Sequence, residues 1–152
     1  MLQSVRNFFR AVPTPLAGLA LGIASLGIGL EKSLPLHNFA QVFGALTSMT
    51  LILLLAGKFA LNPRQLLEEL RHPVLGSILP TTSMALMLQS KSLSILDAQA
   101  AQWLWLFAVG LHLCLLLAFV AFRARQFSLH HMLPSWFVPF VGISVAAMTV
   151  PG

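Results

Sequence analysis

The sequence predicts an all-α integral membrane protein, and three observations carry that prediction. Hydrophobic residues make up 57% of the 152 and charged residues only 9%, against roughly 25% charged in a soluble domain. Mean hydropathy is +0.85. The charged residues also divide the chain into five charge-free windows, 11–30, 33–57, 72–90, 98–122 and 126–152. About 20 apolar residues cross the ~30 Å of a bilayer core as a helix, so each window holds one span. Only helices and closed barrels satisfy their own backbone in lipid, and the alternating strands of a barrel are absent.

The same arithmetic excludes whole classes of function. Nine Lys+Arg and four Asp+Glu are too few to clothe a soluble enzyme, and a disordered chain needs more charge and less apolar surface. The net charge of +5 is scattered over several segments, which argues against a nucleic-acid partner. One cysteine makes neither a disulfide nor a thiolate metal site. No Gly-rich phosphate loop, HExxH or GxSxG motif is present. No catalytic residue, metal ligand or cofactor is expected.

The predicted helices lie near 14–30, 37–58, 73–90, 100–122 and 134–151, in one membrane domain over 1–152. Three of them open on a basic segment followed by proline: Arg6 and Arg10 before Pro13, Arg71 and His72 before Pro73, Arg123 and Arg125 before Pro134. Proline suits the first helical turn, where its missing N–H has no partner to lose. The spacing of about sixty residues reads as a repeated hairpin of two helices, with two and a half units in the chain. The odd helices carry interior breakers: Gly18 and Gly22 in the first, Pro80 with Thr81 and Thr82 in the third, Pro139 and Gly142 in the fifth. The even helices are plainer, with LILLLAG at 51–57 and LHLCLLLAFVAF at 111–122. Broken helices are tolerated in membranes where they face protein or water, so the odd helices are expected inside and the even ones against lipid.

Orientation follows from the basic flanks. With the N-terminus inside, Arg6, Arg10, Lys58, Arg64, Arg71, Arg123 and Arg125 are cytoplasmic, and Lys32 and Lys91 lie outside. The first helix is read as retained rather than as a cleaved signal, because its apolar stretch is long and no A-x-A-like site ends it. Trp103, Trp105 and Trp136 near helix starts read as interfacial anchors. RQLLEELR at 64–71 reads as a surface helix, with Glu68 and Glu69 on a solvated face balanced by arginine. Asp97 reads as the cap of the fourth helix.

His112 lies mid-span, where an ionisable group is costly; a neutral imidazole bonded to a neighbouring helix is favoured over a proton relay. Cys114 is expected to pack, and His130–His131 to form an interfacial turn rather than a metal site. For Gly18–Gly22, a GxxxG spacing, close helix packing and a pore lining both stay open. Pro80-Thr81-Thr82 likewise reads either as a plain kink or as a kink that presents hydroxyls and freed carbonyls to an anion. The chain ends on Met148-Thr149-Val150-Pro151-Gly152 with no polar tail, so it is expected to be incomplete.

Three stretches, PTPLAGLALGIASLG at 13–27, RHPVLGSILPTTSMALML at 71–88 and PSWFVPFVGISVAAMT at 134–149, resemble the tellurite-resistance/dicarboxylate transporter (TehA-like) family, which includes slow-type anion channels. The resemblance implies half of a ten-helix bundle of five hairpins in quasi-fivefold arrangement. It also implies a central pore lined by odd helices and a homotrimer in the inner membrane. The pathway would then run past Gly18, Gly22, Pro80, Thr81, Thr82, Pro139 and Gly142. Its partners would be small anions (dicarboxylate, tellurite- or sulfite-like oxyanion, halide) and the lipid bilayer. Pro15 and Ala17 depart from the family's usual glycine and aromatic residue. The phenylalanine that plugs the family's pore belongs to a ninth helix that this chain lacks. The alternative function is a non-transporting split subunit that packs with a partner half.

Overall fold

The computed structural model describes residues 2–34, 36–124 and 133–151. These residues form α1 (Leu2–Arg10), α2 (Leu16–Ser33), α3 (Phe39–Leu61), α4 (Pro63–Arg71), α5 (Leu75–Ile78), α6 (Pro80–Leu93) and α7 (Ala98–Ala124). A 3-10 turn (Pro134–Phe137) leads into α8 (Val138–Met148), and no strand occurs among the described residues. Three helices, α2, α3 and α7, are long and apolar enough to cross a membrane. Where five full-length spans are expected, the third and fifth windows form shorter pieces.

The physical reason lies in the prolines. Pro80 has no N–H to donate and its ring crowds the preceding turn, so the third window parts into α5 and α6 at Leu79. Near the break Thr81 Oγ donates to Ile78 O across 2.7 Å, while Ser83 Oγ, 2.7 Å from Pro80 O, has a single proton for either that carbonyl or His112 Nδ1. In the fifth window Pro134 opens a 3-10 turn and Pro139 sits in the first turn of α8. The first window stays whole from Leu16, because Pro13 and Pro15 precede its helical residues. Pro13 and Pro73 therefore stand just ahead of helices rather than as their first residues.

Two turns between helices are set by carboxylates. Glu31 accepts from the N–H groups of Asn38 (2.7 Å) and Ala40 (3.2 Å), and satisfies the start of α3, where backbone donors lack partners. His37 and Asn38 occupy left-handed backbone at φ 54° and 67° to make that corner. Asp97 accepts from Gln99 (2.9 Å) and Ala100 (3.1 Å) and caps α7, as predicted for the helix of the fourth window.

Small residues set the packing. On α2, Ala17, Ala20, Ala24 and Gly27 form the buried face. A Cβ on Gly27 would lie 2.7 Å from Ala40 O, and one on Gly44 would lie 3.0 Å from Ile23 O, so α2 and α3 are in backbone contact there. Ala20, Ile52 and Ala85 meet where α2, α3 and α6 converge. α6 is the central element, touching α2, α3, α7 and α8. The long helices turn large apolar side chains outward, among them Leu26, Phe43, Leu53, Phe107 and Leu117, the surface a bilayer covers.

Candidate functional site

Two polar clusters and one open helix face stand out from this apolar frame. The first cluster joins the ends of α2, α3 and α4. Lys58 Nζ lies 2.6 Å from Glu69 Oε1 and donates to Thr14 Oγ at 2.8 Å; Thr14 donates in turn to Glu69 Oε2 at 2.5 Å. Gln65 Nε2 donates to Glu69 Oε1 at 3.2 Å. Lys58 and Thr14 are each 2% exposed and Glu69 7%, so the expected solvated face is corrected. Glu68 does face outward, but Glu69 turns inward as the counter-ion of Lys58. A buried charge needs a partner, and the partner lies eleven positions away on another helix, beyond the reach of helical spacing rules.

The second cluster is centred on His112, which is 1% exposed. Its Nε2 lies 2.9 Å from Pro139 O and its Nδ1 3.0 Å from Ser83 Oγ. A carbonyl only accepts, so Nε2 carries a proton. The ring thereby links α7 to α6 and α8, bonded to neighbouring helices as the mid-span histidine was read. Gly142 lies directly under it, and a Cβ at that position would overlap the imidazole.

The predicted pathway residues fall into three groups. Gly18 and Gly22 are exposed, with nothing within 4 Å of the place a Cβ would take. The GxxxG pattern thus makes no packing contact within the described chain; Gly27 and Gly44 carry the close approach instead. Pro80 and Thr81 are buried at the α5–α6 break, the threonine hydroxyl already bonded to Ile78 O. Thr82 Oγ is buried without a hydrogen-bond partner and lines a cavity of about 250 Å³ with Leu55 and Phe59 of α3 and Phe107, Leu111 and Leu115 of α7. Pro139 and Gly142 are buried against His112. Thr82 shares that cavity with none of the other six.

Other readings are corrected or located. Trp136 is 7% exposed and packs edge-on against Phe119 at 6.0 Å, so it is a core residue and not an interfacial anchor. Trp105 Nε1 donates to Thr149 Oγ at 3.2 Å, while Trp103 does point outward. Cys114 is exposed rather than packed. Ala17 is fully buried beside Leu55 and Val12, which explains its small size. His130–His131 lie outside the described residues. Among the described residues no group of three potential metal ligands is assembled.

The family model SLAC1, voltage-dependent anion channel, matches residues 12–151. An uncharacterized transporter of Methanocaldococcus jannaschii is 28% identical over 107 residues, which is 68% of this chain and 31% of that protein. The chain thus spans about a third of the length of that curated relative. No solved structure matches it.

Proposed function

The chain belongs to the SLAC1 voltage-dependent anion channel family, a class of channels and transporters rather than enzymes, and we propose that it forms part of a path for small anions across a membrane. The observation that carries this reading is the family match over residues 12–151. In this reading the five windows are five spans, the third and fifth crossing as broken helices, with the N-terminus cytoplasmic in a cell membrane. The segment supplies half of a ten-helix bundle that assembles as a homotrimer, with odd helices around the path.

The open face of α2 supports the place of that path. Gly18 and Gly22 leave backbone uncovered, and Ser25 and Gly29 continue the face at helical spacing. An anion passing there meets the Ser25 hydroxyl and glycine backbone whose N–H groups are already bonded within the helix, and no fixed cation. Selectivity then rests on width and on the cost of dehydration. Pro80, Thr81, Pro139 and Gly142 serve by shaping the two broken helices, and Thr82 adds an uncommitted hydroxyl beside the break. Substrates are small anions of the dicarboxylate, oxyanion or halide type.

The test is anion efflux from liposomes containing the protein expressed from its complete reading frame. Cysteines introduced at Gly18 and Gly22, in a Cys114→Ser background, should react with a water-soluble thiol reagent, and the reaction should block flux. Flux that persists after complete modification at both positions removes α2 from the path. Absence of any anion flux favours the split-subunit alternative.

A further inference from the structure

A basic cavity at the α1–α4 junction stands apart from the proposed path. It has a volume of about 610 Å³ and is lined by Arg6, Arg10, Asn62, Pro63, Arg64, Gln65 and Glu68. Three guanidiniums against one carboxylate leave a formal charge of +2. Among the described residues no carboxylate lies within ion-pair distance of Arg6, Arg10 or Arg64; the one ion pair there is Lys58–Glu69.

Side-chain bonds join α1 to α4 and to the corner before it, and one of them holds the Arg6 guanidinium. Arg6 Nε donates to Asn62 Oδ1 at 3.0 Å, which fixes the guanidinium and leaves its two terminal nitrogens free. Asn62 is itself 7% exposed and donates to Lys58 O at 3.3 Å. Gln65 Nε2 lies 3.3 Å from the Arg10 carbonyl. Phe9 seals the junction from beneath, packing where a Cβ on Gly57 would come within 2.5 Å of its ring. Planar guanidinium forks bind the oxygens of phosphate in pairs. A guanidinium already fixed, as that of Arg6 is, loses less freedom on binding than a free surface side chain does.

The elements that form the cavity also carry exposed apolar side chains outside its lining. Phe8 on α1, Leu61 at the end of α3 and Leu67 on α4 are exposed large apolar side chains on the elements that form it. A ligand with a phosphate head and an acyl tail matches both features, whereas a free ion uses only the first. We propose that this cavity binds a phosphate group, that of an anionic membrane phospholipid. Arg6, Arg10 and Arg64 hold the phosphate oxygens, and the acyl chain leaves the cavity over the exposed apolar surface of α4 at Leu67. Glu68 on the lining disfavours a headgroup of high negative charge, and selects one with a single net charge. The site therefore ties the two surface helices to the leaflet, next to the Lys58–Glu69 cluster.

Native mass spectrometry of the protein expressed from its complete reading frame, purified in a neutral detergent, tests this, with dihexanoyl phosphatidylglycerol, dihexanoyl phosphatidylcholine and inorganic phosphate as probes. Phosphatidylglycerol should bind in preference to phosphatidylcholine. Each of Arg6→Gln, Arg10→Gln and Arg64→Gln should weaken it about fivefold, and Lys32→Gln, at the other end of α2, should leave it unchanged. Circular dichroism checks that each variant keeps its helices, and the variants that retain them decide the matter. Equal binding of the two lipids, or binding unchanged in all three arginine variants, overturns the proposal. Inorganic phosphate competing as strongly as phosphatidylglycerol also overturns it, since the cavity is then a site for a soluble ion.

Discussion

His112 Nε2 bonds the Pro139 carbonyl across 2.9 Å, so a side chain on an unbroken helix holds the backbone of a shortened one. The other ring nitrogen faces Ser83 Oγ at 3.0 Å, four residues from the break before α6. Both irregular windows are therefore tied to the same imidazole on α7. A polar group buried at that depth is destabilising unless it is bonded, and here both ring nitrogens have partners. The kinks and the histidine satisfy each other.

Gly142→Ala should lower stability, by about 1–3 kcal/mol as overpacking does, because the new methyl overlaps a ring with bonds on two sides. Thermal unfolding in detergent measures it. Combining Gly142→Ala with His112→Ala should cost less than the sum of the two. Strict additivity would show that the ring does not rest on Gly142.

Glu69→Gln should be severely destabilising, by about 3–5 kcal/mol, because it leaves a buried ammonium without its counter-ion. Glu68→Gln, on the exposed face of the same helix, should change little. Adding Lys58→Met to Glu69→Gln should recover most of the loss. The same unfolding measurement decides, and equal effects at the two glutamates would return Glu69 to the solvated face.

Gly27→Leu and Gly18→Leu should part company. A side chain at Gly27 strikes the α3 backbone, with even its Cβ 2.7 Å from Ala40 O, whereas Gly18 has open space around it. The first variant should fail to assemble stably and the second should insert and fold normally. In liposomes with the protein from its complete reading frame, Gly18→Leu should alter anion flux. Normal flux in a well-folded Gly18→Leu protein would take that position off the path.

Topology is open to thiol labelling in a Cys114→Ser background, which is needed because Cys114 is itself exposed. Glu68→Cys should label only from the cytoplasmic side. Leu96→Cys, at an 84% exposed position, should label only from the opposite side. The reverse pattern would invert the orientation drawn from the basic flanks.

Hydropathy, charge placement and the positions of proline act over a few neighbouring residues, and so the sequence by itself determined what depends on them. It set an all-helical chain with long apolar elements, breaks in the third and fifth windows, a surface helix after Asn62, and the Asp97 cap. Segments 13–27, 71–88 and 134–149 also carried enough local pattern to indicate the family. Tertiary structure alone decided which groups meet. Thr14 comes from the turn before α2, Lys58 from α3 and Glu69 from α4, and no spacing rule selects Glu69 over Glu68 as the buried carboxylate. GxxxG at 18–22 had the local pattern of a packing motif, yet Gly27 and Gly44 make the close approach, because rotation of α2 about its axis depends on α3 and α6. Trp136 and Cys114 exchanged their expected surroundings for the same reason. Composition shows that a helix is apolar, but which side faces protein and which faces lipid is settled only by its neighbours.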